Sequence, residues 1–190
     1  MKKFVTLFTD SYRELKYVRT ITTAAMFGAI AIILGMFSVN FGNYIRIGFA
    51  SIPNGMISYL FGPVVGGLFS GSLDVLKYLL KPNGPFFPGL TLVTVLSGIM
   101  YGCFYYKRPV TLKRVLISKL VVMLICNLLL NTLCLSILYG KGFMVLLPAR
   151  ELKNFVMWPI DSLIFYSMIK SLDSLGVFRI IQNPWAARTK

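Results

Sequence analysis

The chain has 190 residues, a mean hydropathy of +0.73 and a formal net charge of +14, although only 14% of its residues are charged. This composition is typical of an integral membrane protein and argues against an ordinary soluble domain. The sequence contains no histidine, so the commonest general base and metal ligand is missing. We therefore expect no catalytic residue and no metal site. The three cysteines lie within apolar runs without metal-ligand spacing, which favours buried free thiols.

Residues 1–19 predict an amphipathic segment at the membrane surface. Apolar side chains recur at helical intervals, and Ser11 and Glu14 have the spacing of a capping box. A frayed tail is the alternative that this pattern leaves open. The segment becomes polar too early for a secretory signal peptide.

Long runs without charge predict the membrane-spanning helices. Residues 20–45, 47–73, 82–106 and 120–140 contain no Asp, Glu, Lys or Arg, and a span needs roughly 20 apolar residues. Gly62-Pro63 divides the stretch 47–80, which is too long for one span, into two short helices. The remaining helices are predicted at about 20–38, 88–106, 115–139 and 151–172. We therefore predict an all-α integral membrane protein with six transmembrane helices in residues 20–172, followed by a basic tail at 173–190.

The distribution of positive charge predicts the orientation. With six spans, both termini lie on one side, and that side collects 14 of the 20 Lys and Arg residues. The excess of positive charge marks the cytoplasmic side, so we predict that both termini are cytoplasmic. The net charge is then a topology signal, and we expect no nucleic acid as a partner.

Three segments on the outer side are predicted to be non-helical: residues 38–53, 81–90 and 139–150. The sequence of 81–90, KPNGPFFPGL, cannot continue a helix because of its three prolines, yet Phe86 and Phe87 are apolar. Irregular backbone at membrane depth is tolerated only where protein buries it or where it lines a cavity. We therefore predict structured outer loops that cover a ligand pocket.

Polar side chains on two helices are candidate ligand contacts. Asn127 and Asn131 share one helix face, and Arg150 and Asn154 have the same spacing, with Trp158 one turn further on. Interhelical hydrogen bonds between these amides are the alternative explanation. The intramembrane acids Asp74 and Asp161 are also functional candidates by default; we expect Asp74 to pair with Lys77, and we favour a helix-packing role for Asp161.

Small residues spaced four apart mark two helix faces for close packing. Ala25, Gly28 and Ala29 form such a face on the first predicted span. The pairs Gly62/Gly66 and Gly67/Gly71 form another, for which we favour packing within the protein.

Five stretches, taken together, resemble a known family. They are VRTITTAAMFGAIAIIL, FGPVVGGLFSGSLDVLKYLL, GPFFPGLTLVTVLSGIMYG, NLLLNTLCLSILYGK and LPARELKNFVMWPI. In this order they resemble the folate-type substrate-binding components of energy-coupling factor (ECF) vitamin transporters. The resemblance implies a bacterial cell-membrane protein that captures a vitamin outside the cell. It also implies three partners, a transmembrane coupling subunit and two ATPase subunits, so that ATP is hydrolysed by the partners and the chain itself needs no cofactor.

The resemblance also implies which residues act. Ala25 and Ala29, with Gly28 between them, would contact the coupling subunit, and the loops 38–53 and 81–90 would gate the ligand. An arginine suits a carboxylate and a phenylalanine pair suits an aromatic ring; both features fit folate, while pantothenate, which has a carboxylate but no ring, stays open. The expected substrate-binding residues are Arg46, Phe49, Ser51, Phe86, Phe87, Asn127, Asn131, Arg150, Asn154 and Trp158.

Two other classes of function remain as alternatives. A small intramembrane enzyme acting on lipids would use Asp74 or Asp161, but no nucleophile–base pair accompanies either residue. A stand-alone secondary transporter would couple Asp161 to an ion, but inverted repeats and paired broken helices are not evident. The sequence has no Walker A loop for ATP, which favours a binding subunit served by separate ATPases.

Overall fold

Helices make up most of the chain. The computed structural model describes residues 2–36, 39–41, 45–47, 51–80, 86–108, 110–139 and 143–174. In chain order the elements are α1 (Lys2–Glu14), α2 (Val18–Met36), β1 (Val39–Phe41), β2 (Ile45–Ile47), α3 (Ser51–Leu80), α4 (Pro88–Tyr105), α5 (Leu112–Val122), a π-helix (Met123–Asn131), α6 (Thr132–Tyr139) and α7 (Phe143–Ser174). The two strands pair antiparallel, with Val39 opposite Ile47.

Within the described residues, four helical stretches are long and apolar enough to cross a membrane: Val18–Gly35, Ser51–Leu80, Pro88–Tyr105 and Leu112–Leu138. The second of these contains a break and supplies two helical arms, and α7 follows as a further long helix. Six membrane helices result, and the prediction of an all-α membrane fold is confirmed. The only strands among the described residues are the two three-residue strands between α2 and α3.

The break in α3 lies at Gly62, as predicted. Its backbone has φ 90° and ψ −171°, a left-handed φ that glycine adopts without strain. Pro63 follows and lacks a backbone N–H. The two arms, residues 51–61 and 63–80, fold back on each other. Their close approach is seen at Gly66, where a Cβ atom would collide with Ser58 of the other arm. The element is therefore a helical hairpin with its turn at Gly62-Pro63.

Ser11 of α1 completes this turn. Its Oγ donates to the Phe61 carbonyl (2.7 Å) and accepts from the backbone N–H groups of Val64 (3.0 Å) and Val65 (3.3 Å). A helix break leaves such groups without their intrahelical partners, and here one hydroxyl from a distant helix serves three of them. The Ser11 side chain is fully buried. Residues 2–14 therefore form a helix docked on α3, and the alternative of a frayed tail is wrong.

Glycines of α3 and α4 let these two helices pack closely. A Cβ atom at Gly67 would lie 2.7 Å from Ile99, and one at Gly71 would lie 2.7 Å from Val95. From the other side, a Cβ atom at Gly98 would lie 2.5 Å from the Gly66 carbonyl oxygen. The predicted internal packing role of the α3 glycines is confirmed.

A buried aromatic cluster joins the first arm of α3 to α4 and α7. Tyr105 and Phe165 are both fully buried, with ring centroids 5.3 Å apart. Gly55 admits the Phe165 ring, because a Cβ atom there would lie 2.6 Å from its edge. The cluster lies near the turn of α3, where Tyr106 also approaches Gly62.

Three predictions about the outer and central helices were wrong in detail. The last helix begins at Phe143, so residues 143–150 are helical, and Arg150 lies inside α7 and not at its start. The fifth span begins at Leu112 and changes to a π-helix at Met123.

We predict that Ser11→Ala destabilises the fold by about 1–3 kcal/mol, because three buried backbone groups lose their partner. The unfolding midpoint of the purified chain in detergent should fall. Ser174→Ala is the matched control: it removes the same hydroxyl from an exposed residue that bonds only within its own turn. Equal shifts for the two variants would contradict the capping role.

Candidate functional site

Asn127 and Asn131 lie in the π-helix Met123–Asn131. A π-helix has i→i+5 hydrogen bonds, is rare, and occurs frequently at functional sites. The Thr132 hydroxyl donates to the Asn127 carbonyl five residues earlier (3.4 Å), so a side chain adds to the backbone bonds of this segment. The segment places its two asparagines on one side of the fifth span, as their spacing predicts.

The two asparagine side chains are available for binding. Asn127 is exposed and Asn131 is half-buried, and within the described part of the chain neither side chain forms a hydrogen bond. Amides in an apolar span are costly without a partner. The described residues therefore show no interhelical hydrogen bond of these two side chains, and their role as ligand contacts stays a prediction.

Trp158 forms contacts within the protein, and its role as a ligand contact stays a prediction. Its indole N–H donates to the Leu116 carbonyl of α5 (3.0 Å), and its ring meets Phe155 edge to face at 6.3 Å. The one polar group of Trp158 is thus engaged in holding α7 against α5. Asn154, one turn earlier, is half-buried and lies on the same helix without a described hydrogen bond.

Phe86 and Phe87 diverge just before α4. The Phe86 ring is 46% exposed and packs against Tyr78 of α3, with centroids 5.1 Å apart. Phe87 is extended (φ −126°, ψ 111°) ahead of Pro88, and its ring lies over Gly89, next to Cys134 of α6. The pair therefore connects the C-terminal end of α3, the start of α4 and α6, and Phe86 is the more exposed of the two. Residues 81–85 lie outside the described part of the chain.

Two buried polar atoms lie at the start of α3. Ser51 Oγ and Asn54 Oδ1 have no hydrogen-bond partner. The arm 51–61 spans only about 16 Å at 1.5 Å per residue, roughly half of the ~30 Å hydrocarbon core. Ser51 was predicted as a ligand contact, and Asn54 was not. The sequence could have pointed to Asn54, because counting residues back from the Gly62 turn places it in the first turn of a short helical arm.

Three predicted contacts lie wholly or partly outside the described residues. Arg46 belongs to β2, opposite Asn40, and Arg150 belongs to α7, but the structure describes only their backbone. Phe49 lies outside the described ranges. Their role as ligand contacts stays a prediction from the sequence.

The intramembrane acids have protein partners. Asp161 lies 4.0 Å (Oδ2) from Lys119 Nζ, which also donates to the Asp161 carbonyl (2.8 Å) and lies 5.2 Å above the Phe165 ring. The sequence suggested no partner for Asp161, because Lys119 was counted with the loop before the fifth span. Asp74 accepts a hydrogen bond from Thr91 of α4 (2.9 Å). Both contacts join helices, which supports packing roles.

A groove of about 500 Å³ runs between α2 and α3. Its walls are almost entirely apolar. Ala25 and Ala29 are exposed within it, whereas Gly28 is buried against Phe69 of α3. The predicted small-residue face therefore lies open along the groove between α2 and α3. The groove is lined by Leu15, Thr20, Ile21, Ala24, Ala25, Gly28, Ala29, Ile32, Val65, Leu68, Phe69, Ser72, Leu73 and Leu76.

These features match one family of membrane proteins. Residues 19–169 match the family model of the substrate-specific component of ECF transporters. The chain belongs to this family of membrane-embedded transporter components.

Individual members of this family are similar to the chain over most of its length. The Folate transporter FolT of Clostridium novyi is 38% identical over 133 residues, which cover 70% of this chain and 77% of that protein. The Folate transporter FolT of Leuconostoc mesenteroides is 28% identical over 159 residues, which cover 80% and 85%. The crystal structure of FolT bound with folic acid superposes with a TM-score of 0.71 at 31% identity, and covers 78% of this chain and 90% of that one.

We predict that Lys119→Met alone destabilises the fold by about 1–3 kcal/mol, because it removes the hydrogen bond to the Asp161 carbonyl and leaves the half-buried Asp161 carboxylate without its countercharge. Lys119→Met combined with Asp161→Leu should recover much of this loss. The measurement is the unfolding midpoint of the purified variants.

The exposed pair Lys107–Asp10 (2.6 Å) provides the control. Lys107→Met should change the midpoint much less, because exposed ion pairs contribute little. Additive losses in the Lys119/Asp161 double variant would show that the two groups do not interact.

Proposed function

We propose that the chain is the folate-binding component of an ECF importer. It captures folate from outside the cell and passes it inward together with a coupling subunit and two ATPase subunits. Both termini then lie in the cytoplasm, and the outer loops and the outer ends of α3, α4 and α6 face the ligand. The chain itself catalyses no reaction.

The observation that carries this proposal is the likeness to the FolT structure bound with folic acid, which extends over 90% of that chain. A likeness over this length supports a shared ligand site as well as a shared fold. The arrangement of side chains agrees with it. Unpaired amides on the π-helix, buried oxygens at the start of α3 and an exposed phenylalanine all lie toward one end of the helices.

Each group has a place in folate recognition. The Phe86 ring offers a face for the flat pterin, and the amides of Asn127 and Asn131 can donate to and accept from its heteroatoms. Asn54 and Ser51 add a buried acceptor and a hydroxyl. Arg46 and Arg150 are the candidates for the carboxylates of the glutamate moiety.

Pantothenate is the second candidate ligand. Its carboxylate would satisfy an arginine equally well, so the arginines do not separate the two vitamins. The exposed Phe86 ring favours folate, because pantothenate has no ring to stack on it.

We predict that the protein purified without added ligand retains folate, identified by mass spectrometry.

We also predict that Phe86→Ala raises the Kd for folate roughly two- to tenfold, the equivalent of one aromatic contact of about 0.5–1.5 kcal/mol. Leu79→Ala, a change at an exposed residue near the same end of α3, is the control and should leave the Kd unchanged. Retention of pantothenate in place of folate would overturn the ligand assignment.

The groove between α2 and α3 is the proposed contact with the coupling subunit. Small exposed residues let a second helix approach closely within lipid, where van der Waals packing drives association. Ala25 and Ala29 face this space, and the apolar α3 wall lies opposite. The contact is separate from the ligand site, so binding and coupling should be separable by substitution.

We predict that Ala25→Trp with Ala29→Trp weakens assembly with the coupling subunit and abolishes uptake, because the added rings fill the groove. Folate binding by the isolated component should be retained. The control is Ile33→Trp, on an exposed residue of the same helix outside the groove lining. Normal assembly of the double variant would exclude this face as the contact.

A further inference from the structure

Two sides of helix α1 differ in their surroundings. On the first side, Ser11 is fully buried against the turn of α3. On the second side, Phe8 and Tyr12, four residues apart, form an apolar strip and are 38% and 60% exposed. At about 100° per residue, this strip is turned roughly 60–100° from Ser11 around the helix. It has no described helix packed over it, although it is part of the apolar face that the sequence predicted.

The position of this strip is fixed by the chain. α1 ends at Glu14, and the first membrane span begins at Val18. Tyr17 and Val18 are themselves 57% and 73% exposed, as expected where a span enters the lipid. Three linking residues cannot carry α1 far from that level. Phe8 and Tyr12 therefore lie at the boundary between headgroups and acyl chains.

Two cations lie close to the exposed strip. Arg13 follows Tyr12 in the last turn of α1, Lys16 lies in the turn directly after α1, and both are exposed. The two acids of α1 lie on the other side of Ser11: Glu14 accepts a hydrogen bond from Thr20 (3.3 Å), and Asp10 is bound by Lys107, whose ammonium holds the pKa of that carboxyl below its usual value of 3.8. Arg13 and Lys16 thus keep their charge for an outside partner. An apolar strip flanked by such cations is typical of helices that bind anionic membrane surfaces.

We propose that α1 binds anionic lipid through Phe8, Tyr12, Arg13 and Lys16, and that Ser11 transmits this binding to the inner turn of α3. The two aromatic side chains enter the acyl region, and the two cations bind phosphate groups of the surrounding lipids. Because Ser11 on the same helix satisfies three backbone groups of the turn, any lipid that holds α1 in place also stabilises the helical hairpin. This proposal does not depend on the identity of the vitamin.

A photo-crosslinking experiment identifies what covers the strip. The photoreactive phenylalanine analogue p-benzoylphenylalanine replaces Phe8 in the complete transporter complex in phosphatidylglycerol-containing membranes. We expect products whose added mass is that of a phospholipid. The control carries the same probe at Thr6, an exposed residue on the opposite side of α1, and should give few such products. Crosslinking of Phe8 to the coupling subunit would overturn the lipid assignment.

A stability measurement tests the transmission. The thermal midpoint is compared in vesicles of phosphatidylcholine alone and in vesicles with about one third phosphatidylglycerol. The wild type should gain about 4 °C or more from the anionic lipid, given the contribution expected for two cations near a charged surface. Arg13→Gln with Lys16→Gln should lose most of this gain. Ser11→Ala should also lose it, because α1 then no longer contacts the turn through a side-chain bond.

A variant with the same change in charge is the control. Arg108→Gln with Lys113→Gln removes two exposed cations, one from the loop before α5 and one from the first turn of α5, and it should keep the gain in midpoint. Equal losses in the two charge variants would show a general surface-charge effect and overturn the specific site. A wild type whose midpoint does not depend on phosphatidylglycerol would overturn the proposal as well.

Discussion

Inside a lipid bilayer, every backbone N–H and C=O group must find its partner within the protein. The turn at Gly62-Pro63 interrupts the hydrogen bonds of α3 and therefore needs partners from elsewhere in the chain. The turn removes one donor with Pro63 and frees several others. Ser11 supplies the missing bonds from α1. The N-terminal helix is thus a structural part of the membrane domain, and the hairpin of α3 depends on a residue some fifty positions away.

The turn also limits the first arm of α3, which starts at Ser51 and is only about 16 Å long, roughly half the thickness of the hydrocarbon core. Ser51 and Asn54 at that start carry buried oxygens without a hydrogen-bond partner among the described residues. Together with the π-helix of the fifth span, this gives the proposed ligand site two irregular helical elements. Irregular backbone at this depth is expected only where it is buried or lines a cavity.

The sequence predicted features that local chemistry controls. Gly62-Pro63 gave the break, the apolar runs gave the spans, and the glycines of α3 gave the tight contact with α4. Features that depend on distant partners were not predictable. Lys119 reads as the edge of a basic loop, but its ammonium is folded back onto Asp161. Trp158 fits an aromatic pocket residue by position, but the Leu116 carbonyl, on another helix, engages its N–H. The π-helix and the start of α7 likewise depend on tertiary packing, and the spacing of apolar residues in the sequence does not predict them.

These contacts divide the molecule into two parts with different constraints. Near the α3 turn, Ser11, Lys119 and Trp158 each join two helices by hydrogen bonds, and the buried rings of Tyr105 and Phe165 fill the space between them. Toward the other end, the side chains of Asn127 and Asn131 form no hydrogen bond within the described residues, and the Phe86 ring is partly exposed. A binding component needs this division, because it must open and close around a vitamin while presenting a constant surface to its coupling partner. Under the proposed function, the α2–α3 groove is the contact with the coupling subunit; its lining contains neither the asparagines nor Phe86, so the ligand site can rearrange without changing that contact.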